Sequence, residues 1–242
     1  MSQYVHDNPR RLAEKRANPD LFRRIVDLAL PLDNGRITGH FSAIGNRHLL
    51  ERPLVQVQYS RRFLAYRRIP KPGGGLKIAR DAAGAPLIET AIPEYSEIRN
   101  AVFAAASHGA VVISPCISDG ERQIAHETIE RGFPLVVLRN KGFSPLQKPG
   151  GRYFDACADG RFLILAPAAW PYVTQEKPMT RHDATALNRI TQWLCSVTGH
   201  FCPASIAYNG IKPTDIDRLA DEAVKKEDRC ERNHLQRTRG TA

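Results

Sequence analysis

Three groups of residues could do chemistry. Ser60-Arg61-Arg62 ends an apolar run, Val55 to Tyr59, and places a hydroxyl and two fixed cations at the tip of an expected strand. Ser114-Pro115-Cys116-Ile117-Ser118-Asp119-Gly120-Glu121 follows a second run, Ala110 to Ser114, and leads into an expected helix. Small residues, hydroxyls and a glycine at a helix start are what a loop needs to turn N–H groups toward an anion. The alternative is a plain strand-to-helix turn with Ser118 or Asp119 as N-cap. The third group, Arg67, Arg68 and Lys71, precedes Pro72-Gly73-Gly74-Gly75 and extends the positive charge along the chain. Together these point to phosphate binding. Tyr59 is read either as a stacking face for a base or as a core aromatic.

Other constellations point to other chemistry. Glu121 beside a phosphate loop reads as a general base or as a partner for the helix dipole. Cys116 near a helix N-terminus could be a reactive thiolate, but no His is placed by the sequence to serve it. Cys195, His200, Cys202, Cys230 and His234 fit no compact zinc knuckle, and core packing is the better reading of Cys195. His126 is read as packing on its helix. Neither Gly73 to Gly75 nor Pro149-Gly150-Gly151 continues as a nucleotide-binding loop. No cofactor or metal is expected.

These residues belong to a chain of 242 residues with 42% hydrophobic and 25% charged content, a globular composition. The net charge is +10 and unevenly spread. Residues 1–80 hold 16 Lys/Arg against 6 Asp/Glu, and residues 81–242 hold 19 against 19. The excess in the first third suggests a polyanionic partner, or else only a solvated face. Five cysteines with no Cys-x-x-Cys pair, and no apolar stretch of membrane-spanning length, lead to the expectation of a cytoplasmic protein without disulfides.

The elements that must position the groups are legible as periodicities. Asn18-Pro19 followed by Leu21, Phe22, Ile25, Leu28 and Ala29 predicts one amphipathic helix ending near Pro31. The glycines and asparagines of 33–46 predict turns. Residues 61–93 predict an inserted basic loop or hairpin. From Glu94 onward helices and apolar runs alternate: a helix to Gly109, strand 110–114, helix 120–132, strand 134–138, a helical turn 154–158 and strand 162–166. With Val55–Tyr59 as first strand, this predicts an α/β fold, a Rossmann-like parallel sheet with helices on both faces, plus an N-terminal helix and C-terminal helices. Thr180 and Asp183 predict a capping box opening a helix to Gly199. A short strand at 205–208 and a helix from Thr214 precede a polar tail. The expected division is 1–35, 36–210 and 211–242.

Ile44-Gly45-Asn46, Leu49-Leu50, Pro53 and Val55 to Arg61 resemble the entry segment of the DNA-processing protein A (DprA/Smf) family. Gly109 to Ser114, Gly120, Ala125-His126, Gly132 and Pro134 to Leu138 are similar to its second strand, loop and third strand. Gly160 to Pro167 is similar to its fourth, and Asn188-Arg189 to its Arg-Asn-Arg helix start. The resemblance covers about residues 40–195 and implies a shortened or divergent member. It also implies single-stranded DNA held in a basic pocket, no cofactor and a recombinase as possible partner, and leaves the oligomeric state open. The implied phosphate contacts are Ser60, Arg61, Arg62, Arg67, Arg68, Lys71, Ser114, Ser118, Gly120 and Asn188. A rival of another class, related to nucleotide-hydrolysing enzymes, would use Glu121 as base. A third reading is a ligand-free accessory protein.

Overall fold

Four apolar runs pair side by side in the order in which they occur in the chain. The computed structural model describes residues 3–59, 63–174 and 179–198. Its parallel strands are β3 (Leu54–Gln56), β8 (Val111–Ser114), β9 (Leu135–Leu138) and β10 (Phe162–Pro167). They are joined through α3 (Pro93–Ser107), α4 (Asp119–Glu130) and α5 (Arg152–Ala158). Right-handed crossovers between strands laid down in sequence order place all three helices on one face. The other face receives α6 (Arg181–Val197), capped by Thr180 and Asp183 as the sequence predicts.

Side-chain alternation along each strand divides the core accordingly. Val55, Val112, Leu135 and Phe162 pack toward α3, α4 and α5. Leu54, Val111, Ile113, Val136, Leu163 and Leu165 pack with Leu187, Leu194 and Cys195 of α6. Burying each such aliphatic side chain contributes about 1.5–3 kcal/mol. The Rossmann-like α/β architecture is therefore present, with three helices on one face and one on the other.

The N-terminal region departs from expectation. Pro19 does begin a helix, but α2 (Pro19–Phe22) is a single turn after α1 (Gln3–Ala17). Residues Ile25–Leu32 are not helical; they form an edge strand, β1, paired antiparallel with β2 (Ile37–Gly45), itself antiparallel to β10. The misleading signal has a cause. The β1–β2 register shifts between Ile25 and Leu28, and this irregularity lets residues three apart face the same core. A three-residue spacing then imitates a helix. The turn expected over 33–46 shrinks to Asp33, Asn34 and Gly35, all with positive φ. Gly45 is no turn residue either: a Cβ there would lie 2.2 Å from the Phe162 carbonyl oxygen, so glycine lets β2 press onto β10.

The insertion is a folded arm. Residues β4 (Leu64–Tyr66) and β7 (Ile88–Ala91) pair antiparallel, and so do β5 (Arg68–Pro70) and β6 (Leu76–Ile78), with Lys71 to Gly75 as the tip. The arm packs back on α4 through β4. The strand and helix expected at 205–208 and from Thr214 lie outside the described residues.

Candidate nucleic-acid interface

The carboxyl ends of β3 and β8 are where an open parallel sheet usually accepts ligands. Here they are tied together from within. Ser118 caps α4, its Oγ accepting the Glu121 N–H at 3.2 Å. Glu121, 1% exposed, accepts the Tyr59 N–H at 3.0 Å on one oxygen. Its other oxygen accepts the N–H groups of Ile117 at 2.5 Å and Ser118 at 3.4 Å. Ser114 Oγ accepts the Cys116 N–H at 3.0 Å. Gly120 is buried, and a Cβ on it would sit 3.2 Å from the Tyr95 ring and 3.6 Å from Leu64.

The anion cradle expected at Ser114, Ser118 and Gly120 is thus corrected. The N–H groups of Cys116, Ile117, Ser118 and Glu121 face protein oxygens, and apolar side chains cover Gly120. Glycine is needed there for a tyrosine, not for a phosphate. Glu121 is corrected as a base too. Burial pushes it up to about 7, against the three N–H groups that favour its ionised form, and its oxygens touch only backbone donors. Cys116 is no reactive thiolate: burial, then the Glu121 charge, pushes its thiol up to about 12. Tyr59 is a core aromatic, 5% exposed, with its ring 5.2 Å from that of Tyr95 and 6.0 Å from that of Phe63.

Asp119 does a different job at the same helix start. It accepts the Tyr66 N–H at 3.0 Å, both oxygens meet Arg68 Nη2 at 2.9 and 2.8 Å, and Arg122 donates at 3.1 Å. Burial alone would raise its pKa. The Tyr66 N–H, Arg122 and Arg68 outweigh burial and hold the carboxyl below its ordinary value. Arg68 is therefore an anchor that fastens the arm to α4, and its charge is already met.

The rest of the arm is different. Arg67, Lys71 and Lys77 are exposed, and no side-chain hydrogen bond or ion pair engages them among the described residues. Arg80 donates to the Gly84 carbonyl and holds the outer turn. Ser60, Arg61 and Arg62 lie outside the described residues; their chain neighbours Tyr59 and Phe63 are both buried.

Asn188 is on α6, across the sheet from the arm, and well inside that helix, not at its start. Its carbonyl accepts Gln56 Nε2 at 3.2 Å, while Asn188 Oδ1 and Gln56 Oε1 are buried without partners among the described residues. Gln56, 1% exposed at the end of β3, carried no signal in the sequence beyond being polar within an apolar run. Asp119 was missed as an anchor for a similar reason: its partners on the arm, Arg68 and Tyr66, are 51 and 53 residues away. Cys195 is fully buried in the core, and the other residues grouped with it lie outside the described residues. Among the described residues no group of three or more His, Cys, Asp or Glu could hold a metal. Nor is any helix among them long and apolar enough to cross a membrane.

No family model matches the chain, and no curated protein does. Among solved structures, it is similar to DNA processing protein A from Helicobacter pylori, a structure described for that protein's single-stranded DNA binding mode. The match has 14% identity and a TM-score of 0.40, and covers 72% of this chain and 65% of the other. The chain thus spans slightly less than two thirds of that protein's length. At this identity no residue's role transfers from one chain to the other.

Proposed function

We propose that this protein binds single-stranded nucleic acid, DNA in the first instance, by phosphate contacts along its inserted arm. The observation that carries the reading is the set Arg67, Lys71 and Lys77, exposed cations without carboxylate partners among the described residues, on an arm tied to α4 by the Arg68–Asp119 pair. Two further facts support it. Residues 1–80 contain the whole positive excess of the chain, and Ser60-Arg61-Arg62 stands in sequence directly before the arm. The residue blocks similar to the DprA/Smf family favour single strands and a role in DNA processing or recombination.

The contacts proposed are Arg67, Lys71 and Lys77, with Ser60, Arg61 and Arg62. Arg68 supports them by holding the arm. The loop at Ser114, Ser118 and Gly120 supports them only as scaffold. Each neutralised phosphate on a single strand contributes about −0.7 to the slope of log affinity against log salt. The test is a salt titration of a labelled oligothymidylate by fluorescence anisotropy. Replacing Arg67, Lys71 and Lys77 together by Ala is expected to flatten the slope by about 2. Absence of binding at low salt, or an unchanged slope in the triple variant, overturns the reading.

A further inference from the structure

The two faces of the arm carry different residues. Opposite residues of an antiparallel pair share a face, and successive residues of one strand alternate between faces. In β5 and β6 the pairs are Arg68 with Ile78, Ile69 with Lys77 and Pro70 with Leu76. The ladder continues one step at each end. The Ala79 N–H donates to the Arg67 carbonyl at 2.8 Å, and the Lys71 N–H to the Gly75 carbonyl at 3.0 Å. Arg68, Pro70, Leu76 and Ile78 therefore share one face, and Arg67, Ile69, Lys71 and Lys77 share the other. The first face is turned to the body: Arg68 reaches Asp119 of α4 at 2.8 Å, and Ile78 packs against the core. The second is turned away from it. That outward face holds all three of the arm's cations that meet no carboxylate among the described residues.

The ladder also sets their spacing. Arg67 and Lys71 are four residues apart in one extended run, about 14 Å at ~3.4 Å per residue. Lys77 stands opposite Ile69, midway between them, with its Cβ about 7–8 Å from theirs. Three positive charges in even steps along a straight edge suit a charged polymer, whereas a single small anion needs donors gathered round one point. Between the cations lies only Ile69, half-buried, which can touch a sugar or a base but makes no hydrogen bond. None of the four side chains is a hydroxyl, an amide or a carboxylate, so base edges meet no acceptor on this face.

We infer that the arm takes one sugar–phosphate backbone lengthwise along β5, with successive phosphates at Arg67, Lys77 and Lys71 and the bases turned away from it. This rests on the proposed function and deepens it by naming the ligand class: a nucleic acid strand recognised through its backbone, whatever its bases. Phosphate contacts of this kind fix position and carry no sequence information.

The experiment moves one charge between the faces. Leu76→Lys/Lys77→Leu keeps the net charge but carries a cation to the opposite face, at a position where Leu76 is already 60% exposed. Salt titrations with a labelled oligothymidylate compare this exchange with wild type, Lys77→Ala and the Arg67, Lys71 and Lys77 triple variant. In parallel, wild type is given a strand of the same length whose sugars are all abasic. The exchange is expected to flatten the slope by about 0.7, as Lys77→Ala does, so that affinity rises about 2.6-fold less between ~200 and ~50 mM salt. The abasic strand is expected to keep the slope of the thymidylate. If the triple variant flattens the slope and the exchange leaves it at the wild-type value, the inference falls and the proposed function stands. If the abasic strand binds with a flatter slope or not at all, the bases are read and the inference falls in the same way, with no variant required to fold. If wild type binds neither strand at low salt, both readings fall.

Discussion

The two ends of Asp119 and its neighbourhood behave in opposite ways. On the sheet side, the carboxyl ends of β3 and β8 have every requirement of an anion loop in sequence, and the fold consumes them: Glu121 takes three backbone N–H groups and Tyr95 covers Gly120. On the arm side, a glycine-rich segment with no loop motif at all presents Arg67, Lys71 and Lys77 to solvent. A donor is useful to a ligand only if nothing inside the protein has already taken it. The closed region contributes stability, and the open one carries the charge available for binding.

The sharpest way to break this contrast is to remove the staple. Glu121→Ala strands the N–H groups of Tyr59, Ile117 and Ser118 in a buried site, where each unmet donor costs about 1–3 kcal/mol. A loss of at least ~3 kcal/mol in denaturant unfolding is expected, with no change in the salt slope of the folded protein. A stable Glu121→Ala variant that binds DNA less steeply would reverse the assignment of the two regions.

Titration probes the same group more gently. The folded Glu121 value of about 7 lies above the unfolded carboxylate value, so its favourable contribution is complete below the unfolded value and is lost as pH rises through 7. Between pH ~8 and ~5 stability is expected to increase by on the order of 3 kcal/mol from this group. Asp119 works in the other direction, its stabilisation being lost only as pH falls through its depressed value, below that window. Glu121→Gln should abolish the dependence; thermal melts across the range that coincide for wild type and variant would disprove it.

The open region is tested by charge. The Arg67, Lys71 and Lys77 triple variant is expected to lose about 18-fold in affinity on going from ~200 to ~50 mM salt relative to wild type, with unfolding unchanged. Asp119→Asn sharpens the comparison at the boundary, because it releases Arg68 and Arg122 from their shared carboxylate. The slope should steepen by about 1.4, near 7-fold over the same interval, while stability falls. If affinity drops instead, Arg68 matters as an anchor and the arm must be rigid to bind.

Much of the α/β half was readable because its signals are local. Ser118 and Glu121, or Thr180 and Asp183, sit three residues apart and cap their helices wherever those helices pack. The apolar runs of β8, β9 and β10 are too short for helices and too apolar for surface loops. Ile25 to Leu32 was misread because a register shift against β2 produced helix-like spacing, and only a partner strand shows that. The candidate site was less readable still. Tyr59, Ser118 and Gly120 have the right types for binding, but their availability depends on Glu121, Tyr95 and Leu64, the last two of which are distant in sequence from Gly120.

From its sequence alone this chain determined a parallel α/β sheet, a basic first third and an inserted arm, because periodicity, net charge and glycine content are properties of neighbouring residues. Which charges remain exposed was decided in three dimensions. Asp119 met Arg68 and Glu121 met the Tyr59 amide across more than fifty residues, whereas Arg67, Lys71 and Lys77 met no carboxylate among the described residues. Pairing of this kind follows from which surfaces the core brings into contact, and no stretch of sequence carries that information by itself.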